Sequence, residues 1–247
     1  MRLNGIIGVY YREMSILRSR LLRGVLSSLV SPALFFMAFG YGFGRQRMFY
    51  GMEYLDFLFA GLLAMSTLNA CYGLASEVNI ARFYFRTFDE YLLAPAPRWQ
   101  IVAGEMLYGI SKGGITACAF ILLAWVAGVN LRLSPSFFAA LLLHMAIFSL
   151  LGLGIALAVK NHGDQGAISS FVITPMTFLS GVFFPVEQMP LALRWLVQAF
   201  PVTHSVNLLR AAQGGAQLSG ADWAILLGFL ILAFSAALLA AKRAGTT

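Results

Sequence analysis

Few residues in this chain could do chemistry, and their spacing argues against most of it. Ser111 sits in Gly109-Ile-Ser-Lys-Gly113, which matches the G-x-S-x-G turn of serine hydrolases, and Asp164 and His204 follow in the order of a nucleophile, acid and base triad. That turn needs a strand before the serine, whereas Ser111 lies inside an apolar run of helix length. The glycines, with Gly114 and the run Gly40-Tyr-Gly-Phe-Gly44, suit close helix packing instead. His144, His162 and His204 fall in three separate regions, and His162 with Asp164 cannot close a site that needs three or four converging ligands, so no metal is expected. Neither G-x-x-x-x-G-K-[ST] nor H-E-x-x-H occurs. The chain is expected to be no enzyme and to have no ATPase site of its own.

Three ionisable groups stand in apolar surroundings and need an account, because charge inside a membrane is usually functional. Glu105 and Lys112 are seven residues apart on one helix face. Either the helix starts in the cytosol, leaving Glu105 wet and Lys112 snorkelling to the interface, or both line a transport path. His144 is expected to be an interhelical hydrogen-bond group, with a place on a pathway as the alternative. Cys71 and Cys118 lie in apolar stretches and read as small buried hydrophobes.

Such groups must be positioned by elements that the composition identifies. Of the 247 residues, 60% are hydrophobic and 11% charged, against about 25% charged in soluble domains. This is the profile of an integral membrane protein. The net charge of +7, from 17 Lys and Arg against 10 Asp and Glu, then reads as orientation by basic flanks, not as a nucleic-acid surface. A spanning helix needs about 20 mostly apolar residues. Six stretches meet or approach this: 25–43, 55–75, 101–128, 136–159, 167–184 and 222–241. An inside amino terminus puts Arg2, Arg12, Arg18, Arg20, Arg23, Arg82, Arg86, Arg98, Lys160, Lys242 and Arg243 in the cytosol. Arg45, Arg47, Arg132, Arg194 and Arg210 are left outside. Both termini are therefore predicted cytoplasmic, with Asp164 and His204 on opposite faces of the membrane.

Three segments outside the spans carry further information. Residues 1–24 place Leu3, Ile6, Ile7, Tyr10, Met14, Leu17 and Leu21 on one helical stripe and are expected to be retained as an amphipathic helix. That helix lies on the membrane surface or packs on a partner. The cytoplasmic loop 76–100 contains a helix start at Thr87, early negative charge at Asp89 and Glu90, and proline stops at Pro95 and Pro97, which together predict a short helix projecting into the cytosol. The external connection 185–220 contains an apolar decapeptide, 191–200, bracketed by Pro190 and Pro201. It is too short to span and too apolar for a solvated loop, so a re-entrant or interfacial helical hairpin is expected, with Trp195 at the headgroups. Pro175 and Gly181 interrupt the fifth stretch, as a packing kink or as a bend beside a gate.

These features resemble the ABC-2 type transporter permease family. Six spans with both termini inside, the loop 86–97 and the segment 171–210 carry the likeness. Within the segment, Thr174, Pro175, Phe178, Leu179, Gly181, Phe184, Pro185, Met189 and Pro190 resemble the family signature, and Pro201-Val-Thr-His-Ser-Val-Asn-Leu-Leu-Arg210 looks like the continuation in permeases that export nodulation factors, which are lipo-oligosaccharides. The resemblance implies one all-α transmembrane domain over 1–247, paired as a homodimer with two copies of a cytoplasmic ABC ATPase that binds ATP and Mg. It implies a coupling helix formed by Arg86, Thr87, Asp89, Glu90 and Tyr91 and reaching Ala94, and an external gate at Pro175, Gly181, Pro185, Pro190, Pro201, His204 and Arg210. The first, second and fifth spans would form the dimer interface and pathway. Lys112 and His144 remain candidate pathway residues. The function implied is ATP-driven export of an amphiphile, such as a lipid-linked saccharide, lipid or hydrophobic drug, across the bacterial inner membrane. An ion-gradient-driven secondary transporter is the alternative.

Overall fold

The computed structural model describes residues 3–42, 48–93, 95–214 and 218–244. Arg2, Phe43, Gly44, Arg45, Arg47, Ala94 and residues 215–217 of the last external connection lie outside the described residues. The protein is nearly all helical. Helix α1 (Asn4–Gly42) is followed by two two-residue strands, β1 (Met48–Phe49) and β2 (Met52–Glu53), then α2 (Tyr54–Tyr72), α3 (Leu74–Phe83), α4 (Phe88–Leu93), α5 (Arg98–Val126) and α6 (Pro135–Ala158). The remaining elements are α7 (His162–Ile168), a π-helical turn (Ser169–Ile173), α8 (Thr174–Leu179), a 3-10 turn (Val186–Gln188), α9 (Leu191–Gln198), α10 (Pro201–Gly214) and α11 (Gly220–Ala244).

Among the described residues four helices are long and apolar enough to cross a membrane: Tyr54–Phe83, Arg98–Val126, Pro135–Ala158 and Gly220–Ala244. A fifth follows if α1 is counted, although its limbs Asn4–Ser19 and Gly24–Gly40 meet at 70°. The fifth stretch expected from the sequence is different. It is helical from His162 to Leu179, but in three pieces. Pro175 has no N–H to give one turn back. The π turn lies just before it, and Thr174 Oγ1 donates to the Ser169 carbonyl at 3.0 Å. The kink expected at Pro175 is thus taken up by a wider turn.

Helix α2 occupies the centre, buried along its length except at Asp56 and Asn69, whereas α11 buries only Leu226, Ala233, Ala237 and Ala241. Phe59 stacks between Phe120 and Phe137, at 6.1 and 6.4 Å between ring centres. The small residues expected to pack closely do so selectively. A Cβ at Gly109 would stand 2.2 Å from Ser149 Oγ and one at Gly113 2.4 Å from Cys71 Sγ, while Gly114 faces open space. Cys118 is likewise exposed rather than buried, as an apolar residue on an outer helix face can be when lipid is its solvent. The cytoplasmic loop expected from residue 76 begins later. Gly73 keeps right-handed helical angles, so the helix carries on through α3 to Phe83. Asn79 Nδ2 donates to Gln165 Oε1 at 2.6 Å and Gln165 Nε2 to Ser76 Oγ at 2.9 Å, which fixes α3 against α7.

Candidate functional site

Candidate side chains gather at two ends of the bundle, named here after α4 and α9. At the α4 end, the first limb of α1 packs on the start of α5. Gly5 N donates to Gln100 Oε1 at 3.1 Å, and Val9 is buried where a Cβ on Gly104 would be only 2.9 Å from it. The limb therefore covers its own chain with Val9 and Leu17, while Leu3 and Ile7 stay exposed.

Between α1, α2, α3, α5 and the segment entering α4 lies a cavity of about 770 Å³. Helical spacing aims its polar lining: Glu105, Tyr108 and Lys112 fall at i, i+3 and i+7 on α5. Lys112 Nζ meets Glu77 Oε1 at 2.8 Å, and Tyr108 donates to Glu77 Oε2 at 2.9 Å. Across the cavity Arg12 Nη1 lies 2.6 Å from Glu13 Oε1 and 2.9 Å from Tyr91 Oη, and Tyr91 in turn donates to Glu13 at 2.8 Å. Burial pushes the Tyr91 phenol up, and the Glu13 carboxylate adds to this, so the proton that makes this bond stays on. Lys112 thus spends its charge on Glu77 rather than reaching for the surface. Glu105 is not wet either, being 1% exposed. Glu13, Glu77 and Tyr108 were not singled out from the sequence. The spacing of Tyr108 and Lys112 one turn apart was the available signal.

The short helix expected in the loop is present as α4. Phe88 is buried and stacks edge-on against Tyr91, 5.5 Å between ring centres. Thr87 precedes the helix, Asp89 lies on it, and Glu90 is exposed. Arg86 is exposed and takes a left-handed φ of +54°, which turns the chain between α3 and α4.

The α9 end is built differently. Tyr50 and Gly51 both have positive φ, +52° and +76°, and close the β1–β2 hairpin in a two-residue turn. Tyr50 donates to Glu187, and burial together with that carboxylate pushes its phenol up. The chain between α8 and the 3-10 turn reverses at Gly181, φ +76°, and presses onto α2. A Cβ at Gly61 would stand 2.5 Å from the Val182 carbonyl oxygen. Tyr54 donates to Phe183 O at 3.3 Å. Arg210, buried on α10, donates from Nε to Phe57 O at 3.2 Å and from Nη2 to Val182 O at 3.0 Å, with its guanidinium 3.5 Å from the centre of the Phe57 ring. Phe35 and Phe39 of α1 meet Phe183 at 5.4 and 5.1 Å, and Phe178 stacks on Phe183 at 5.8 Å.

Pro190 immediately precedes α9 and Pro201 opens α10, so the two prolines divide the connection into two helices. Trp195 is exposed on α9. His204 of α10 ties α9 and α11 together, with Nδ1 2.6 Å from Asp222 Oδ1 and Nε2 2.8 Å from Gln198 O. Pro175 and Pro185 flank in sequence the segment that Arg210 fastens, so Arg210 and Gly181 meet there while His204 engages the neighbouring helix ends. His144 is fully buried in α6, where Nε2 lies 3.0 Å from the Ala64 carbonyl of α2. The hydrolase triad does not assemble: Ser111 meets Tyr10 at 3.1 Å, and Asp164 accepts at 3.0 Å from Nδ2 of Asn161, the residue that caps α7.

Residues 7–213 match the ABC-2 type transporter family. Curated relatives include Nodulation protein J of Rhizobium leguminosarum bv. viciae, 26% identical over 85% of this chain and 82% of that one. The inner membrane transport permease YadH of Escherichia coli K12 is 32% identical over 77% of each chain. Nodulation protein J of Rhizobium meliloti is 28% identical over 86% of this chain and 82% of its own.

Proposed function

The chain belongs to the ABC-2 type transporter family, a multi-pass membrane permease subunit of an ABC transporter, and from that premise we propose that it exports an amphiphile across the bacterial inner membrane. The family pairs with an ABC ATPase subunit. In the proposed assembly two copies of this chain form a homodimer on two such subunits, which bind the ATP and Mg, and both termini and the α4 end face the cytosol. The pieces α7 to α8 complete six spans with α1, α2–α3, α5, α6 and α11.

The arrangement of α4 carries this reading. A six-residue helix cannot hold itself together in water. It is instead fastened on one side by buried Phe88 and by Tyr91, bonded to Arg12 and Glu13, while Glu90 points outward. Such a helix transmits force between a partner seated on Glu90 and the limb of α1 that roofs the cavity. Closure of the ATPase pair would bias the permease between states open to either side, which is coupling through a two-state element. Arg86, Thr87, Asp89, Glu90 and Tyr91 form the docking helix in this reading. The Arg210-fastened segment with Pro175, Gly181, Pro185, Pro190, Pro201 and His204 forms the external gate. Its carbonyl-anchored, aromatic construction suits a seal that must exclude water.

The test is Glu90→Lys in a preparation that retains its ATPase. Transport into inverted vesicles should be lost while the variant keeps its folded elution profile and ATP hydrolysis runs uncoupled. Undiminished ATP-dependent transport would defeat the docking assignment, and transport that follows an ion gradient without any ATPase would return the chain to the secondary-transporter class.

A further inference from the structure

The cavity at the α4 end holds one ionisable group that its neighbours leave unmatched. Arg12 pairs with Glu13 and Lys112 with Glu77, so those four charges cancel two by two. Glu105 stands at the wall of the same cavity with its carboxyl oxygens covered, and among the described residues neither Oε1 nor Oε2 has a hydrogen-bond partner, so a turn of the side chain into the cavity breaks no bond. A carboxylate buried without donors is destabilising, so stability does not account for it. The walls around it are amphiphilic. Ile16, Leu17, Val78 and Phe88 supply apolar surface, and Ser27 and Ser31 of α1 supply hydroxyls. The volume, about 770 Å³, falls in the range of pockets that enclose ligands of drug size.

We propose that this cavity binds an amphiphile bearing a protonated amine, with the ammonium on Glu105 and the apolar chain against Ile16, Leu17 and Val78. The proposal rests on the permease reading and narrows its cargo. An ionised carboxylate only accepts hydrogen bonds, and a primary ammonium brings three donors with the opposite charge. A neutral alcohol brings one donor and no charge, and an anionic amphiphile repels an ionised Glu105, so both match it less well than an ammonium does. The ammonium could belong to a single-chain amine or to the ethanolamine head group of a lipid.

Full-length protein in phosphatidylglycerol nanodiscs is titrated with tritiated dodecylamine, dodecanol and dodecanoate, each corrected for partition into empty discs. Saturable amine binding is expected at least tenfold tighter than that of the alcohol, and Glu105→Gln should weaken the amine tenfold while leaving the alcohol unchanged. Lys112→Met releases Glu77 from its cation and should tighten the amine severalfold, which keeps the test open if the first variant does not fold. Equal binding of amine and alcohol, or amine binding unmoved in both variants, overturns the proposal. Phosphatidylethanolamine added to the discs displaces the probe if a lipid head group is the natural occupant and leaves it in place if a single-chain amine is; either result keeps the ammonium. Co-purification of the ATPase, followed in parallel, reports on the permease reading separately.

Discussion

The cavity carboxylates at the α4 end and Arg210 at the α9 end show opposite means of holding charge inside a membrane protein. Around the cavity, side chain answers side chain: Glu77 takes Lys112 and Tyr108, Glu13 takes Arg12 and Tyr91, and open volume remains between them. At the other end Arg210 is answered by the backbone carbonyls of Phe57 and Val182 and by an aromatic face, with rings closing the space. Side-chain pairs can exchange partners as rotamers change. Carbonyls are fixed by the helix and loop that carry them. The first construction suits a place where a ligand enters, and the second a place that moves only as a unit.

This contrast can be broken in several places, and the largest effect is expected at the rigid end. Arg210→Met leaves the Val182 carbonyl buried without its donor and should cost about 2–4 kcal/mol in thermal unfolding in detergent. A loss under about 1 kcal/mol would mean that the guanidinium is no bolt. Gly61→Ala drives a methyl into the Val182 carbonyl at 2.5 Å, where backbone cannot give way cheaply, and about 1–3 kcal/mol of destabilisation is expected on the same assay. The opposite sign is expected at the cavity. Glu105→Gln replaces a buried carboxyl group that has no partner by one that cannot ionise and should raise the unfolding temperature by an amount equivalent to about 1 kcal/mol or less, an increase that a purely structural carboxyl would not give. Tyr91→Phe breaks the bridge from α4 to Glu13 and Arg12 and is expected to cost about 1 kcal/mol, read best as faster amide exchange in α4 than in α5. Tyr50→Phe, at an exposed contact with Glu187, should change stability by less than about 0.5 kcal/mol.

The sequence made the long elements legible because a bilayer demands long apolar runs. The stretches read at 101–128, 136–159 and 222–241 correspond to Arg98–Val126, Pro135–Ala158 and Gly220–Ala244. The family was legible for a related reason, since the prolines and glycines of 174–190 fix backbone shape locally. What escaped was long-range. Nothing near Glu105 in the chain indicates that the first limb of α1 folds over it and buries it. The partnership of Glu77 with Lys112, or of His204 with Asp222, joins elements whose relative rotation depends on packing. The β1–β2 hairpin escaped because two-residue strands leave no periodicity to read, although Tyr50-Gly51 is a turn of a common kind. The residues read as gate and docking positions were found by pattern, whereas the atoms that fasten them, a carbonyl at Val182 and a phenol at Tyr91, carry no pattern at all.

The bond from Arg210 to the Phe57 carbonyl joins residues 153 positions apart. At roughly 5–20 residues per second of synthesis, Arg210 leaves the ribosome about 8–30 s after its acceptor has entered the membrane. Throughout that interval the face of α2 that receives the segment 180–185 is open to lipid, and the segment, once made, waits for its bolt until Arg210 follows it. Assembly of the α9 end is therefore a late event of biogenesis. A chain truncated before α10 would retain α2, α5 and α6 but lack α11 and the fastening of one whole end, which gives the insertion machinery and its proteases a means of telling finished subunits from unfinished ones.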